Sequence, residues 1–207
     1  VYDPSFEENV ASAVAYIAGK YATNPLCIGY FVDNELAWEG VVDGVLASGG
    51  EQPARQALMQ RLKSRYGSIE SLNQAWGLQL ADWAAIDGAV LASDAARQDI
   101  SDFFHAFSLR YFSVIRDAFR RHAPNQLYLG CRFSTTPEEA VRACAEAADV
   151  VSFNLYYPRI PQDLYAGEKD LNKPMIIGEF HFGALDRGMF HTGLVATKDQ
   201  NDRAAHY

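Results

Sequence analysis

Four apolar runs punctuate the chain, each short, nearly continuous and bounded by turn residues. They cover Leu26 to Val32, Leu127 to Phe133, Val150 to Tyr156 and Pro174 to Phe180. A run that is apolar on both faces suits a strand buried on both sides of a parallel sheet. Between these runs the apolar positions fall at helical spacing instead. Phe6, Val10, Val14, Ile17 and Tyr21 mark one face of a helix opened by Asp3-Pro4 and broken at Asn24-Pro25. Further helices are predicted over 52–66, closed by Gly67, over 69–75, and over 94–122 ahead of Pro124. Thr136-Pro137-Glu138-Glu139 reads as a capping box opening a helix to about Ala148, and Thr197-Lys-Asp-Gln200 as another. The residues after Glu35, with Gly40, Gly44, Gly49 and Gly50, read as a long connection.

Strands that alternate with helices argue a parallel sheet with helical crossovers, so the fold class is α/β. Only four strands are visible, whereas a closed barrel needs eight and about 250 residues. Two architectures fit: a small doubly wound sheet, or roughly half of a (β/α)8 barrel. With 207 residues, 49% hydrophobic and 21% charged, the chain can bury a core of its own as a single domain.

The C-terminal ends of two of these runs carry the first chemical signal. Glu35 closes Pro25-Leu-Cys-Ile-Gly-Tyr-Phe-Val-Asp-Asn-Glu35, and Glu179 closes Lys173-Pro-Met-Ile-Ile-Gly-Glu179. The C-terminal ends of strands are where a parallel barrel places its chemistry. Two carboxylates facing each other there are the minimal equipment for hydrolysing a glycosidic bond. Around Glu35, Asn34 can hydrogen-bond a sugar hydroxyl and Trp38 can wall the site. Asp33, Asn34 and Glu35 also suit the solvated cap of an ordinary strand-to-helix turn. Glu179 stands among apolar residues, where a carboxylate is costly unless paired or used. Its structural alternative is an ion pair with an inward arginine such as Arg132.

The two intervening runs end in polar residues as well: Arg132 on one, Asn154, Tyr156 and Tyr157 on the other. An arginine beside a carboxylate favours its ionised form, which suits a nucleophile, and a tyrosine hydroxyl can hold it in line. His181, two residues beyond Glu179, fits a substrate hydrogen-bond donor or a satisfied core group.

Charge and motif content narrow the alternatives. A net charge of −8 argues against an extended phosphate-binding surface, so nucleic acid is not an expected partner. No apolar run reaches the length of a membrane span. Cys27, Cys131 and Cys144 have neither metal-clip nor disulfide spacing and are expected to be free thiols. His181 and His191 lack the spacing of a metal site, so no metal is expected. No G-x-G-x-x-G follows a strand and no G-x-S-x-G elbow occurs, which removes dinucleotide binding and the serine-hydrolase reading.

The motifs also carry a resemblance. Asn34-Glu35 on one strand and Glu179 on a later one, with two strands between, resemble the clan of retaining (β/α)8-barrel glycosidases. Arg65-Tyr-Gly-Ser-Ile-Glu-Ser-Leu-Asn-Gln-Ala-Trp76-Gly is similar to the segment after strand four in that clan's β-galactosidases. Ile28 to Trp38, and Ile177-Gly-Glu-Phe-His-Phe-Gly-Ala-Leu-Asp-Arg-Gly-Met-Phe-His191, resemble β-agarases of glycoside hydrolase family 50.

The resemblance implies a partial TIM barrel, about strands four to seven with their helices. Residues 1–207 would then be a single catalytic portion truncated at both ends, its partner the rest of the barrel in the parent chain. Glu35 would be the acid/base and Glu179 the nucleophile. Asn34 would bind the hydroxyl next to the reacting carbon, and Tyr156 would support the nucleophile. Arg132, Asn154, His181 and Trp38 would lie on the substrate side. The implied substrate is agarose or its oligosaccharides, cut at β-1,4-galactosidic links without a cofactor. A polymer substrate implies a secreted or periplasmic location. A β-galactosidase of the same clan, and a catalytically inert barrel fragment, remain as rival expectations.

Overall fold

The computed structural model describes residues 1–86, 93–162 and 171–207. Helix α1 spans Ser5–Tyr21, strand β1 Gly29–Tyr30, and helices α2, α3 and α4 span Val41–Ala47, Pro53–Tyr66 and Ile69–Trp76. Helix α5, Asp94–His122, is followed by β2, Leu127–Tyr128, and α6, Glu138–Ala147. Strands β3, Val151–Asn154, and β4, Met175–Glu179, precede a last helix α7, Gln200–His206. The loop expected between β3 and β4 lies partly outside the described residues.

All four predicted strands occur, and they line up in chain order. β1 pairs with β2 and β3 with β4, both in parallel. A single parallel bridge between Phe133 and Phe153 joins the two ladders. Backbone hydrogen bonds extend the pairing past the short strands, with Val32 N donating to Gly130 O at 3.0 Å and Leu155 N to Glu179 O at 3.0 Å.

The strands are shorter than the apolar runs for a conformational reason. Gly130, Arg132, Asp33 and Glu35 all have positive φ, between 53° and 78°, which takes each out of the ladder. At Gly130 only glycine serves, since a Cβ there would also sit 3.1 Å from Ser152 Oγ.

The helices follow the sequence reading with four differences. The glycine-rich connection contains a short helix, α2. On α1, Val14 and Ala18 are buried while Ile17 and Tyr21 turn to solvent, so the apolar stripe runs Phe6, Val10, Val14, Ala18. Neither expected capping box forms. The cap of α6 is Pro137, with no side-chain hydrogen bond. The cap of α7 is Asp199, whose carboxylate accepts from Asn201 N and Asp202 N, while the Thr197 hydroxyl donates to Gly183 O.

Helix α5 ties two apolar clusters together. Its first half, with Ala96, Ile100 and Phe103, packs with Leu58, Leu62, Leu72, Trp76 and Ile86 from the helical side. Its second half, with Phe104, Tyr111, Phe112, Ile115 and Phe119, packs under the strands against Tyr128, Cys131, Phe133 and Phe153. Cys131 and Cys144 are buried free thiols, as expected, and Cys27 is half-buried. Burial pushes the Cys131 thiol up to about 12.

One buried charge holds the helical side. Asp99 of α5, 5% exposed, accepts from Trp76 Nε1 at 2.8 Å and Tyr66 Oη at 2.6 Å. Arg65 Nη1 completes the set at 2.6 Å. Arg65, Tyr66 and Trp76 are the side chains of the β-galactosidase-like segment, so that segment is a structural staple. Asp99→Ala leaves the buried Trp76 and half-buried Tyr66 donors without their acceptor and is expected to lower the unfolding free energy by about 2–4 kcal/mol. Asp102→Ala, at the more exposed neighbour, should stay within about 0.5 kcal/mol. Denaturant unfolding of the two variants checks the contrast.

Candidate active site

Groups from the ends of β1, β3 and β4 meet at one amide nitrogen. Asn154, the last residue of β3, is 5% exposed. Its Nδ2 lies 2.8 Å from Glu35 Oε1, 3.3 Å from Glu179 Oε2 and 3.2 Å from Asn34 Oδ1. Three acceptors fix the amide with its NH2 toward them. It has two hydrogens for three oxygens, so it can serve only two strongly at once. Glu35 and Glu179 are thereby brought to one atom.

Glu35 reaches this place on a turn built against preference. Asp33 has φ 60° and Glu35 φ 53°, left-handed values that cost non-glycine residues about 1–3 kcal/mol each unless the surroundings enforce them. The Glu35 amide donates toward the carbonyls of Cys131 and Arg132, at 3.4 and 3.3 Å, which moors the turn to the end of β2. Asn34 and Glu35 project outward and are exposed.

Glu179 ends β4 at an irregularity in the ladder, where Asn154 pairs with Glu179 after Phe153 pairs with Ile177. Its carboxylate is held from two further sides. Tyr156 Oη donates to Oε1. Arg132 Nη1 stands 3.4 Å from Oε2. The guanidinium also lies 5.4 Å from the centre of the Phe31 ring, within cation–π range. It reaches Glu179 by crossing Gly178, where a Cβ would fall 2.8 Å from Arg132 Cδ. The bare Cα of Gly178 is what leaves room for the arginine.

Of the eight residues singled out in sequence, six meet here: Asn34, Glu35, Arg132, Asn154, Tyr156 and Glu179. Arg132 contacts the carboxylate, which matches the ion-pair alternative. Two residues go elsewhere. Trp38 is 5% exposed in the core, ringed by Phe104, Tyr111, Phe112 and Phe133, and is not a wall of the site. The His181 ring faces Thr192 O through Nε2, pinning the segment that follows β4 rather than meeting the glutamates.

Sequence reasoning missed two supports. Ser152 Oγ accepts from Arg132 N at 2.9 Å, and Tyr111 Oη donates to Asp33 Oδ2. Ser152 lies two residues before Asn154 on the same strand, a spacing that could have flagged it. Tyr111 is 78 positions from Asp33, and no local pattern points to it.

Among the described residues no group of three or more His, Cys, Asp or Glu side chains is gathered to hold a metal ion. Two surface clefts lie away from the strand ends, along α3. One is lined by Met59, Lys63 and Trp83, the other by Arg61, Arg65 and Asp102. Neither contains any of the eight candidates. At the strand ends, by contrast, two carboxylates meet a cation, an amide and a phenol.

The model of a glycoside hydrolase family described as β-galactosidase (family 42) matches residues 1–188. β-Agarase B of Vibrio sp. (strain JT0107) is 35% identical over 229 residues, which take in 100% of this chain and 24% of that protein. β-Agarase A of the same strain is 36% identical over 230 residues, 98% of this chain and 23% of that one. A solved exo-β-agarase structure superposes with a TM-score of 0.92 at 37% identity, covering 100% of this chain and 30% of that one. The agarase-like motifs are thus matched by similarity along the whole chain. The chain spans about a quarter of the length of these curated relatives. Its α/β fold is a partial piece of a glycosidase TIM barrel.

The site also predicts how one tyrosine titrates. The hydrogen bond to Glu179, with desolvation second, pushes the Tyr156 phenol up to about 12. Subtracting the phenolate absorbance titration of Tyr156→Phe from that of the unmodified protein should reveal a tyrosine ionising near pH 12. A missing group that ionises near 10, the ordinary value, would show that the contact with Glu179 does not form in solution.

Proposed function

The chain belongs to the β-galactosidase family of glycoside hydrolases, and we propose that it carries the catalytic pair of an agarose-cleaving, configuration-retaining glycosidase. In this reading β1 to β4 are strands four to seven of an eight-stranded barrel, and residues 1–207 form one catalytic portion of it. The substrate is agarose or a neoagaro-oligosaccharide, cut at a β-1,4-galactosidic link.

The observation that carries the reading is the sharing of Asn154 Nδ2 by Glu35 and Glu179, at 2.8 and 3.3 Å. Their nearest oxygens can be no farther apart than those two distances laid end to end. That favours the about 5–5.5 Å carboxyl spacing of retaining glycosidases over the roughly 6.5–9.5 Å of inverting ones.

The steps follow from position. Glu35 gives its proton to the glycosidic oxygen as the bond from that oxygen to the anomeric carbon breaks. A carboxylate oxygen of Glu179 bonds to the same carbon from the other face, and the leaving sugar departs as an alcohol. Water then enters, Glu35 takes one of its protons, and the oxygen of that water displaces Glu179. Two inversions give net retention. Arg132 and the Tyr156 hydroxyl keep the nucleophile oriented between turnovers. Asn34 and Asn154 present amides to the sugar hydroxyl beside the reacting carbon.

The family model's description favours a second reading, a β-galactosidase acting on small galactosides. Product analysis of the full-length protein separates the two. Agarose and neoagaro-oligosaccharides should be cleaved well and a simple aryl galactoside poorly, with about 10³-fold or greater loss of turnover in Glu35→Gln and Glu179→Gln on agarose. Preferential hydrolysis of the aryl galactoside would select the second reading. Unchanged activity in either glutamine variant would remove the two-glutamate assignment.

A further inference from the structure

The turn that presents Glu35 is fastened at both ends to a single side chain of α5. Asp33, two residues before Glu35, accepts a hydrogen bond through Oδ2 from Tyr111 Oη. Trp38, three residues after it, packs edge-on against the Tyr111 ring, with centroids 5.8 Å apart and planes at 85°. Tyr111 is itself 8% exposed and braced by Phe112 at 4.9 Å and Phe6 at 6.2 Å. Between those two fastenings lie both left-handed residues, Asp33 and Glu35.

A turn in that conformation needs something to enforce it. The Glu35 amide reaches β2 only through hydrogen bonds of 3.3 and 3.4 Å. Asn154 holds the Asn34 and Glu35 side chains at the tip of the turn, and the Asp33–Tyr111 contact anchors its base to α5. Burial, and next the Asp33 carboxylate, push the phenol far above its ordinary value, so Tyr111 stays a hydrogen-bond donor at any working pH.

We propose that Tyr111, through Asp33, is a positioning residue that sets where the Glu35 carboxyl stands relative to the glycosidic oxygen. This rests on Glu35 being the acid/base. It explains Asp33 and Trp38 together: the outer residues of the Asp-Asn-Glu-Leu-Ala-Trp stretch hold the turn, and the inner ones act. Tyr111 touches no substrate.

A positioning defect in a general acid has a signature that a folding defect lacks. Leaving groups that need no proton are spared, and poor leaving groups are penalised. The full-length protein and its Tyr111→Phe, Asp33→Ala, Asp33→Asn and Glu35→Ala variants are assayed on two substrates. One is a neoagaro-oligosaccharide; the other is a dinitrophenyl glycoside of the sugar unit the enzyme accepts. Tyr111→Phe and Asp33→Ala should lose about 10–100-fold in kcat/KM, which reports formation of the glycosyl-enzyme, on the oligosaccharide and less than about threefold in kcat/KM on the dinitrophenyl substrate. Asp33→Asn, which keeps an oxygen acceptor, should recover most of the loss. Glu35→Ala should show the same split, larger. Equal losses on both substrates in Tyr111→Phe and Asp33→Ala would mark a structural role and overturn the proposal. So would no loss in either variant while Glu35→Ala shows the split. If Glu35→Ala shows no split, the acid/base assignment itself fails, and the positioning role falls with it.

Discussion

Two carboxylates drawn to one amide nitrogen repel each other, and the surroundings of Asn154 are arranged so that the pair can persist. Solvent reaches both side chains and screens the repulsion between them. It is offset unequally. Glu179 has a guanidinium at 3.4 Å and a phenolic donor, whereas Glu35 has the Asn154 amide and solvent. The asymmetry gives Glu179 a cation and a phenolic donor that Glu35 lacks. In the proposed double displacement, that difference separates the nucleophile from the acid/base.

The fold is shaped to deliver these groups. Parallel strands in chain order put every C-terminal strand end on the same side, and helical crossovers make that order possible. Left-handed residues at Asp33, Glu35 and Arg132 end the ladders where side chains must turn toward one another. Gly178 gives Arg132 its path. The helical side around Asp99 is a separate packing unit, joined to the strand side by the length of α5.

Much of this was legible in the sequence because it depends on local pattern. Apolar runs placed the four strands, since burial on both faces leaves a continuous signal. The glutamates at their ends followed from the same reading. The strand lengths did not, because a positive φ at Arg132 or Asp33 leaves no mark in hydrophobicity. Trp38 looked like a sugar-facing aromatic, but a large ring near a charged turn suits a core anchor equally well. Only the ring contacts with α5 decide between them. Capping boxes over 136–139 and 197–200 failed for a similar reason. Pro137 and Asp199 took the cap positions, and the Thr197 hydroxyl was drawn to Gly183. Tyr111 stayed hidden because its partner is far away along the chain.

The central claim is that Glu179 attacks the sugar while Glu35 handles the proton. The most direct test is to treat the full-length protein with a 2-deoxy-2-fluoro glycoside bearing a good leaving group, then digest it and locate the added mass. The account predicts a covalent sugar on the peptide containing Glu179. A label on Glu35, or an unlabelled enzyme whose natural product forms with inverted configuration, would contradict it.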